Sequence, residues 1–485
     1  MRKEIRFLLG HDKRTLRTVD PTMTVLDYLR LVERLVGTKE GCNEGDCGAC
    51  TVVRARLVDG ALRYEAVNAC IQFVGTLDGC QLLTVEHLAG KNGVLHPVQQ
   101  AMVDCHGSQC GFCTPGFVMS LFAMTRHTDS APDGEAIDDA LAGNLCRCTG
   151  YAPIVRAAQR MYDLEPRRDD FAAREDETIA ALRALDDRQT VAVSDGNRRF
   201  YAPATVKALA ELVEGHPDAT IVAGSTDVGL WVTKEMRRLD TIIYIGRVAE
   251  LARIEDGADG IEIGAGVSYT DAMATLARHY PDMGEVIRRI GSVPIRNAGT
   301  IGGNVANGSP IGDSPPLLIA AGATLHLRRG AERRAMPIED FFVDYGKQDR
   351  RPDEFVEKIV VPLPAPGTRF RAYKIAKRFD QDITSTLAAF SLRLDGDTVA
   401  DARVSFGGMA ATPKRARAVE ARLIGSAWTE ETVLGAMDAL ETDFQPISDW
   451  RASADYRLQV SKNLLMRLYV ETTDAQAETR MVGDR

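Results

Sequence analysis

All ten cysteines of this 485-residue chain lie between positions 42 and 148, and none follows. This distribution limits what the chain can fold into more than any other feature. Where disulfides are not maintained, clustered thiols more often ligate metal or do redox chemistry than pair with one another. The first third must therefore be organised around ligand loops, and the remainder must fold on ordinary apolar cores. Hydrophobic residues at 45% and charged residues at 26% allow that, and at ~150 residues per domain the length suggests about three domains or more. The formal net charge of −9 repels phosphate backbones, so no nucleic acid partner is expected. No stretch approaches the ~20 apolar residues of a membrane helix, so no membrane partner is expected either. Met1 to Gly10, with Arg2, Lys3 and Arg6, is too charged and its apolar run too short for an export signal. It reads as a first strand, Ile5–Leu9, and the expected location is cytoplasmic.

The pattern along the chain divides it further. In 1–88, Thr15 to Val19, Thr51 to Val58, Leu62 to Val67 and Leu82 to Val85 read as strands. Thr24 caps one helix carrying Leu26, Leu29 and Val32 or Glu33. Residues 89–162 turn helical, with starts at His96-Pro97, Thr114-Pro115, Asp133 and Pro153, which makes a small four-helix domain. Residues 163–192 are a charged linker, helical in part and reading as a solvated face. An α+β domain over 193–367 carries apolar segments at Thr220–Ala223, Thr241–Ile245, Ile261–Gly264, Thr324–Leu327 and Phe355–Val361. A second α+β domain spans 368–475, with strands at Ala388–Leu394 and Ala402–Phe406 and helices at Lys414–Leu423 and Leu458–Tyr469. A polar tail, 476–485, ends the chain.

Two cysteine constellations carry the chemistry. Cys42, Cys47 and Cys50 are spaced C-x4-C-x2-C, and Cys70 follows; this is plant-type [2Fe–2S] spacing. Gly41, Gly45 and Gly48 let the loop curl and aim backbone N–H groups at the sulfurs. A zinc site is the alternative, but no histidine lies in the loop and the spacing is unusual for zinc. The second constellation joins Cys110-x2-Cys113 to Cys146-x-Cys148, both near helix N-termini whose dipoles suit an anionic cluster. Taken alone, it fits a cluster, zinc or redox-active thiols equally. Cys80 and Cys105 belong to neither set and read as small buried hydrophobes.

Glu40–Val52, Cys70, Gly107–Gly116 and Gly143–Ala157, in this order, resemble the iron–sulfur half of the xanthine dehydrogenase and aldehyde oxidase family. The resemblance implies two [2Fe–2S] clusters, on a ferredoxin-like β-grasp domain and on a four-helix domain. It continues in Ile221-Val222-Ala223-Gly224-Ser225-Thr226-Asp227-Val228 and in Gly299-Thr300-Ile301-Gly302-Gly303-Asn304 through Ser309 to Asp313. These are read as glycine-rich turns whose N–H groups and hydroxyls cradle a pyrophosphate. By analogy Thr300, Asn304 and Ser309 bond phosphate or ribityl oxygens of FAD. Asp313 takes a ribityl hydroxyl, Lys374 stands near the flavin ring, and Ile290 occupies a position where some relatives stack an aromatic on the flavin. No G-x-G-x-x-G opens a βαβ unit, so the implied flavin domain is non-Rossmann, like that of vanillyl-alcohol oxidase and the CO dehydrogenase flavoprotein.

The molybdenum-binding part of fused relatives does not follow the flavin domain here. The implied arrangement is therefore a partner large subunit that carries molybdopterin, contacted by Gln109, in a dimer of heterodimers. Purine hydroxylation on the partner would send electrons through both clusters to FAD and then to NAD+, and no residue of this chain would be catalytic in the hydroxylation itself. Two other readings are an aldehyde or N-heterocycle as substrate and, from another class, a non-catalytic assembly or regulatory protein on the same scaffold.

Overall fold

Alternating burial in the first strands builds the first sheet. In the computed structural model β1 (Ile5–Leu9) buries Ile5, Phe7 and Leu9, and the sheet runs in the order β2 (Asp12–Leu16), β1, β5 (Gln81–Leu83), β3 (Thr51–Val58), β4 (Ala61–Asn68). The β1–β5 pair is parallel and the other pairs are antiparallel. The structure describes residues 1–90, 93–128, 130–164, 169–477 and 479. Part of the expected linker (165–168) and most of the expected tail (478 and 480–485) lie outside the described residues.

Two elements of this region differ from expectation. The second strand is Asp12–Leu16, not Thr15–Val19. Thr24 does cap a helix, accepting from the Asp27 N–H at 3.0 Å, but after Val25–Asp27 the chain widens into a π-turn over Tyr28–Val32. That wider turn leaves Val32 exposed and turns Glu33 toward Arg14 and Tyr28.

Four helices follow: α1 (Pro97–Asp104), α2 (Thr114–Thr125), α3 (Gly134–Leu141) and α4 (Ala152–Arg160). Phe117, Leu121, Phe122, Ile137 and Ile154 make their common core. The charged stretch after them is less solvated than its composition implies. α5 (Asp170–Ala173) buries Phe171 against Phe122, and α6 (Glu175–Leu185) lays Leu182 and Leu185 on Leu8. A four-stranded sheet, Val191–Asp195, Arg198–Ala202, Thr241–Tyr244 and Thr220–Val222 in that spatial order, completes this unit, Met1–Glu250 with Gly291–Gly299.

The second compact unit is Leu251–Ile290 with Thr300–Arg485. Its five-stranded antiparallel sheet centres on Phe355–Val361 and packs against helices Tyr269–His279, Pro281–Arg288 and Ser314–Ala321. A four-stranded antiparallel sheet, from Thr368–Ile375 to Lys414–Arg415, is covered by Glu430–Asp443 and Ala454–Thr473. The expected helix Lys414–Leu423 begins only at Arg417, because Lys414 and Arg415 pair with Phe406 and Ser405 as an edge strand. The chain is thus a multidomain α+β protein. No helix of the described residues is long and apolar enough to cross a membrane.

Two buried carboxylates tie the first unit together. Glu65, 2% exposed, is bound by Arg54 at 2.8 Å and Arg56 at 2.7 Å. Burial alone would raise its pKa, but the two guanidiniums outweigh that and hold it at about 2, from an ordinary 4.5. Asp169 accepts from His96 at 2.7 Å and from Arg126; it is opposed by burial in the same way and lies at about 2, from 3.8. Both folded pKa values are depressed. The stabilisation is therefore complete above the unfolded values and is lost as the pH falls from about 4.5 to about 2. Thermal midpoints measured across that window are expected to drop, with Glu65 alone contributing on the order of 3 kcal/mol. In Glu65→Gln the drop should be shallower.

Candidate functional site

The loop Gly41–Cys50 curls as its glycines require, with Asn43, Gly45 and Gly48 at positive φ of 58°, 80° and 68°. The curl brings Cys42 and Cys47 together with reciprocal N–H···S contacts of 3.3 Å. Cys70, just beyond the end of β4, meets Cys50 at the start of β3, and the Cys50 pair is close enough to Cys42 for their charges to interact. Backbone N–H groups of Glu44 and Asp46 point at the Cys42 sulfur, that of Ala49 at Cys47 and that of Gly45 at Cys70. A shared proton splits each pair. Hydrogen bonding from Cys47 draws Cys42 down to about 5 while Cys47 is raised; likewise Cys70 lowers Cys50 and is itself raised. Two pairs of thiols suit a binuclear cluster, which takes two thiolates on each iron. Among the described residues no group of three or more His, Cys, Asp or Glu side chains is arranged to hold a single metal ion.

The second set assembles from two loops. Cys113 is the N-cap residue of α2, and Cys110 meets Cys148 while Cys113 meets Cys146. The Cys113 thiol is pushed up to about 12, by burial first and by Cys146 second. Cys146 is lowered: burial opposes, but the hydroxyl and N–H of Thr149 prevail, and the Cys146 Sγ to Thr149 Oγ1 distance is 3.2 Å. Cys110 and Cys148 are exposed. Gln109 is exposed, as are Phe112 at 48% and Leu145 at 45%.

The two sets are joined within one unit by contacts that the sequence reading did not identify. Leu145 N–H donates to Cys47 C=O at 3.0 Å, one residue from Cys146. Buried Asn144 donates to Gly48 C=O at 3.0 Å and to Thr51 Oγ1 at 3.2 Å, and accepts from Ser120 at 2.6 Å. The only sequence signal for Asn144 was its place two residues before the C-x-C pair. The segment that follows Cys70 meets the segment 221–228, and the helix after that segment reaches back to the first cysteine loop. Gln72, two residues after Cys70, donates to Gly224 C=O at 2.8 Å, and Lys234 reaches Cys42 C=O at 2.6 Å. No spacing rule marks Gln72 or Lys234.

In that segment Ile221 and Val222 end a strand and Val228 begins the helix Val228–Thr233, so Ala223 through Asp227 form the turn. A Cβ on Gly224 would lie 1.8 Å from Ala298 C=O, so only glycine fits. Ser225 is held at φ 62°, 4% exposed, and its hydroxyl has no partner among the described residues. A buried orphan hydroxyl in a tight turn suits an incoming phosphate oxygen. Thr226 is half-buried and Asp227 exposed.

In the second unit the other glycine-rich segment differs from expectation. Ile301–Asn307 is a short helix, not a turn: Thr300 caps it by accepting from Gly303 N–H at 2.9 Å, and Gly308 ends it at φ 64°. Gly302 permits this, since a Cβ there would meet Ala265 at 2.5 Å. Asn304 accepts from Ser314 at 2.7 Å, and Ser309 Oγ accepts from Ile311 N–H at 3.4 Å. Asp313 is bound on one oxygen by Lys374 at 2.6 Å and on the other by Thr384. Lys374 also donates to Arg289 C=O at 3.2 Å. Ile290 packs on the edge of this unit's apolar core. The hydroxyls and amides at 300–309 have the donor chemistry that a ribityl or phosphate group needs.

Comparison with known proteins agrees in order along the chain. Residues 9–74 match the 2Fe-2S iron-sulfur cluster binding domain and 84–159 the [2Fe-2S] binding domain. Residues 192–364 match the FAD binding domain in molybdopterin dehydrogenase, and 371–472 the CO dehydrogenase flavoprotein C-terminal domain. A xanthine dehydrogenase of Emericella nidulans is 33% identical over 535 residues, covering 98% of this chain and 39% of its own length. The chain thus spans about two fifths of the length of the curated relatives it matches. Among solved structures, a carbon monoxide dehydrogenase from Hydrogenophaga pseudoflava is 30% identical with a TM-score of 0.53, over 55% of this chain and 94% of that one. Quinoline 2-oxidoreductase from Pseudomonas putida 86 is 25% identical with a TM-score of 0.51, over 56% and 94% respectively.

Proposed function

We propose, for a chain that belongs to the molybdenum hydroxylase family and carries its two [2Fe–2S] domains and its FAD domain, that it is the iron–sulfur and flavin subunit of a two-subunit xanthine dehydrogenase. Electron transfer through clusters and flavin is the family role of these domains. The finer reading is that a partner subunit holding molybdopterin hydroxylates a purine carbon, with water supplying the oxygen. Each turnover then releases two electrons and two protons, and NAD+ takes up both electrons and one proton. When bound, the clusters pass electrons singly and the flavin collects them in pairs.

The observation that carries this reading is that the two segments holding the first cysteine set each touch a neighbour, the loop meeting the second cysteine set through Leu145 N–H to Cys47 C=O and the segment after Cys70 meeting 221–228 through Gln72 to Gly224 C=O. That supports the order second cluster, first cluster, flavin. In the proposed assignment Cys42, Cys47, Cys50 and Cys70 hold the first cluster, and Cys110, Cys113, Cys146 and Cys148 the second. Residues 221–228, Ile290, Thr300–Asn304, Ser309, Asp313 and Lys374 are assigned to the flavin. The six-part division of the chain is proposed as stated from its sequence, as are a cytoplasmic location and a dimer of heterodimers. Gln109 is proposed to face the molybdenum subunit; it is exposed, and so are the large apolar side chains Phe112, near it in sequence, and Leu145, next to Cys146. Quinoline 2-oxidoreductase among the similar structures supports a second reading, an N-heterocycle in place of the purine.

The test is a visible spectrum of the purified chain with iron, sulfide and flavin assays, before and after NADH. Two irons and two sulfides per cluster, one FAD, and bleaching by NADH are expected. Full cofactors without bleaching would remove NAD+ from the proposal, and zinc without flavin would overturn it.

A further inference from the structure

Asn68 ends β4 opposite Thr51 and stands two residues before Cys70. It is 1% exposed, and neither its amide nitrogen nor its amide oxygen has a hydrogen-bond partner among the described residues. A polar group buried in this way costs ~1–3 kcal/mol. Such an orphan calls for an explanation, and a role at a redox site is one. Asn144 shows the contrast, since in the same unit it is equally buried but bonded to Gly48, Thr51 and Ser120. The neighbouring ligand is Cys50, which is 2% exposed; it directly precedes Thr51, the strand partner of Asn68, and its C=O accepts from the N–H of Ala69, the residue after Asn68, at 3.3 Å.

We propose that the Asn68 side-chain N–H donates to the Cys50 sulfur of the first cluster and raises that cluster's reduction potential. The inference rests on the assignment of Cys42, Cys47, Cys50 and Cys70 to a [2Fe–2S] cluster and adds what tunes it. Reduction adds a negative charge to a group already held by four thiolates. A donor aimed at a sulfur therefore stabilises the reduced form more than the oxidised form. In a site this dry the hydrogen bond is stronger than at a surface. The anionic sulfur also selects the amide's orientation, nitrogen toward the cluster and oxygen away. A raised potential makes the first cluster the better resting place for an electron arriving from the second.

The experiment is an EPR-monitored redox titration of the full chain loaded with both clusters and flavin, comparing the unaltered protein with Asn68→Leu and Asn68→Ser. Leucine matches the volume without a donor, and the serine hydroxyl is too short to reach. In each variant one midpoint should fall by the equivalent of about tenfold in its reduction equilibrium, ~59 mV for a one-electron couple, while the other stays in place. Both clusters present with neither midpoint moved would overturn the inference. Loss of the first cluster in both variants would make Asn68 a structural requirement and likewise overturn a tuning role. An unaltered protein without two clusters would instead overturn the ligand assignment beneath it.

Discussion

Gly48→Ala is expected to destabilise the first unit by about 2–5 kcal/mol and to slow electron passage between the clusters. Gly48 sits at φ 68°, where an added Cβ costs ~1–2 kcal/mol of backbone strain. That Cβ would also lie 2.1 Å from Gly143 C=O and 2.5 Å from the Asn144 amide nitrogen. Neither the backbone oxygen nor the thrice-bonded asparagine can yield without moving, and overpacking of this kind adds ~1–3 kcal/mol. The chain that must shift is the one holding Cys146, so the Leu145 N–H to Cys47 C=O contact opens with it. Gly116→Ala separates the two contributions. Gly116 lies inside α2, and its Cβ would meet Gly48 C=O at 2.1 Å, so it brings the clash without the left-handed strain. Urea unfolding should rank Gly48→Ala below Gly116→Ala. Flash reduction of the second cluster, followed at the first, should be slower in both. Equal stability of Gly48→Ala and the unaltered protein would remove the close approach of the two loops from the argument.

Lys374→Met is expected to cost about 3–5 kcal/mol, the usual penalty for stripping one partner from a buried ion pair. The lysine side chain is 1% exposed and that of Asp313 8%, so the carboxylate left behind would keep the Thr384 hydroxyl as its side-chain hydrogen-bond donor among the described residues. Methionine fills nearly the same volume, so the loss reports charge rather than a cavity. Adding Asp313→Asn should restore much of the stability, because the amide oxygen can still accept from Thr384 and no charge remains unpaired. Flavin content separates the pair's structural role from a flavin role. If Lys374 and Asp313 also contact flavin, the double variant regains its thermal midpoint but not its full FAD content. Recovery of both would make the pair purely structural.

What the amino-acid sequence determined by itself was set by local spacing. C-x4-C-x2-C with glycines between is enough to specify a thiolate loop, because the ligands lie within one turn-forming segment and the chain must curl to join them. Helix starts at Pro97, Thr114 and Asp133 were legible for the same reason: caps and first-turn prolines act on their immediate neighbours. Local rules misread Tyr28–Val32, where a π-turn carries Val32 outward, and Lys414–Arg415, which a neighbouring strand captured from a helical pattern. They also misread α6, whose charged sequence hides the two leucines that cover Leu8. Only the tertiary structure decided which cysteine meets which and that Asn144 and Gln72 join the loops. It also decided that Lys374 is spent on Asp313 and that Asn68 is left unbonded beside Cys50. Apart from Cys42 with Cys47, the contacts among these join residues far apart in the chain. A single polar residue carries no periodicity, so its partner becomes visible only when the packed backbones bring the two together.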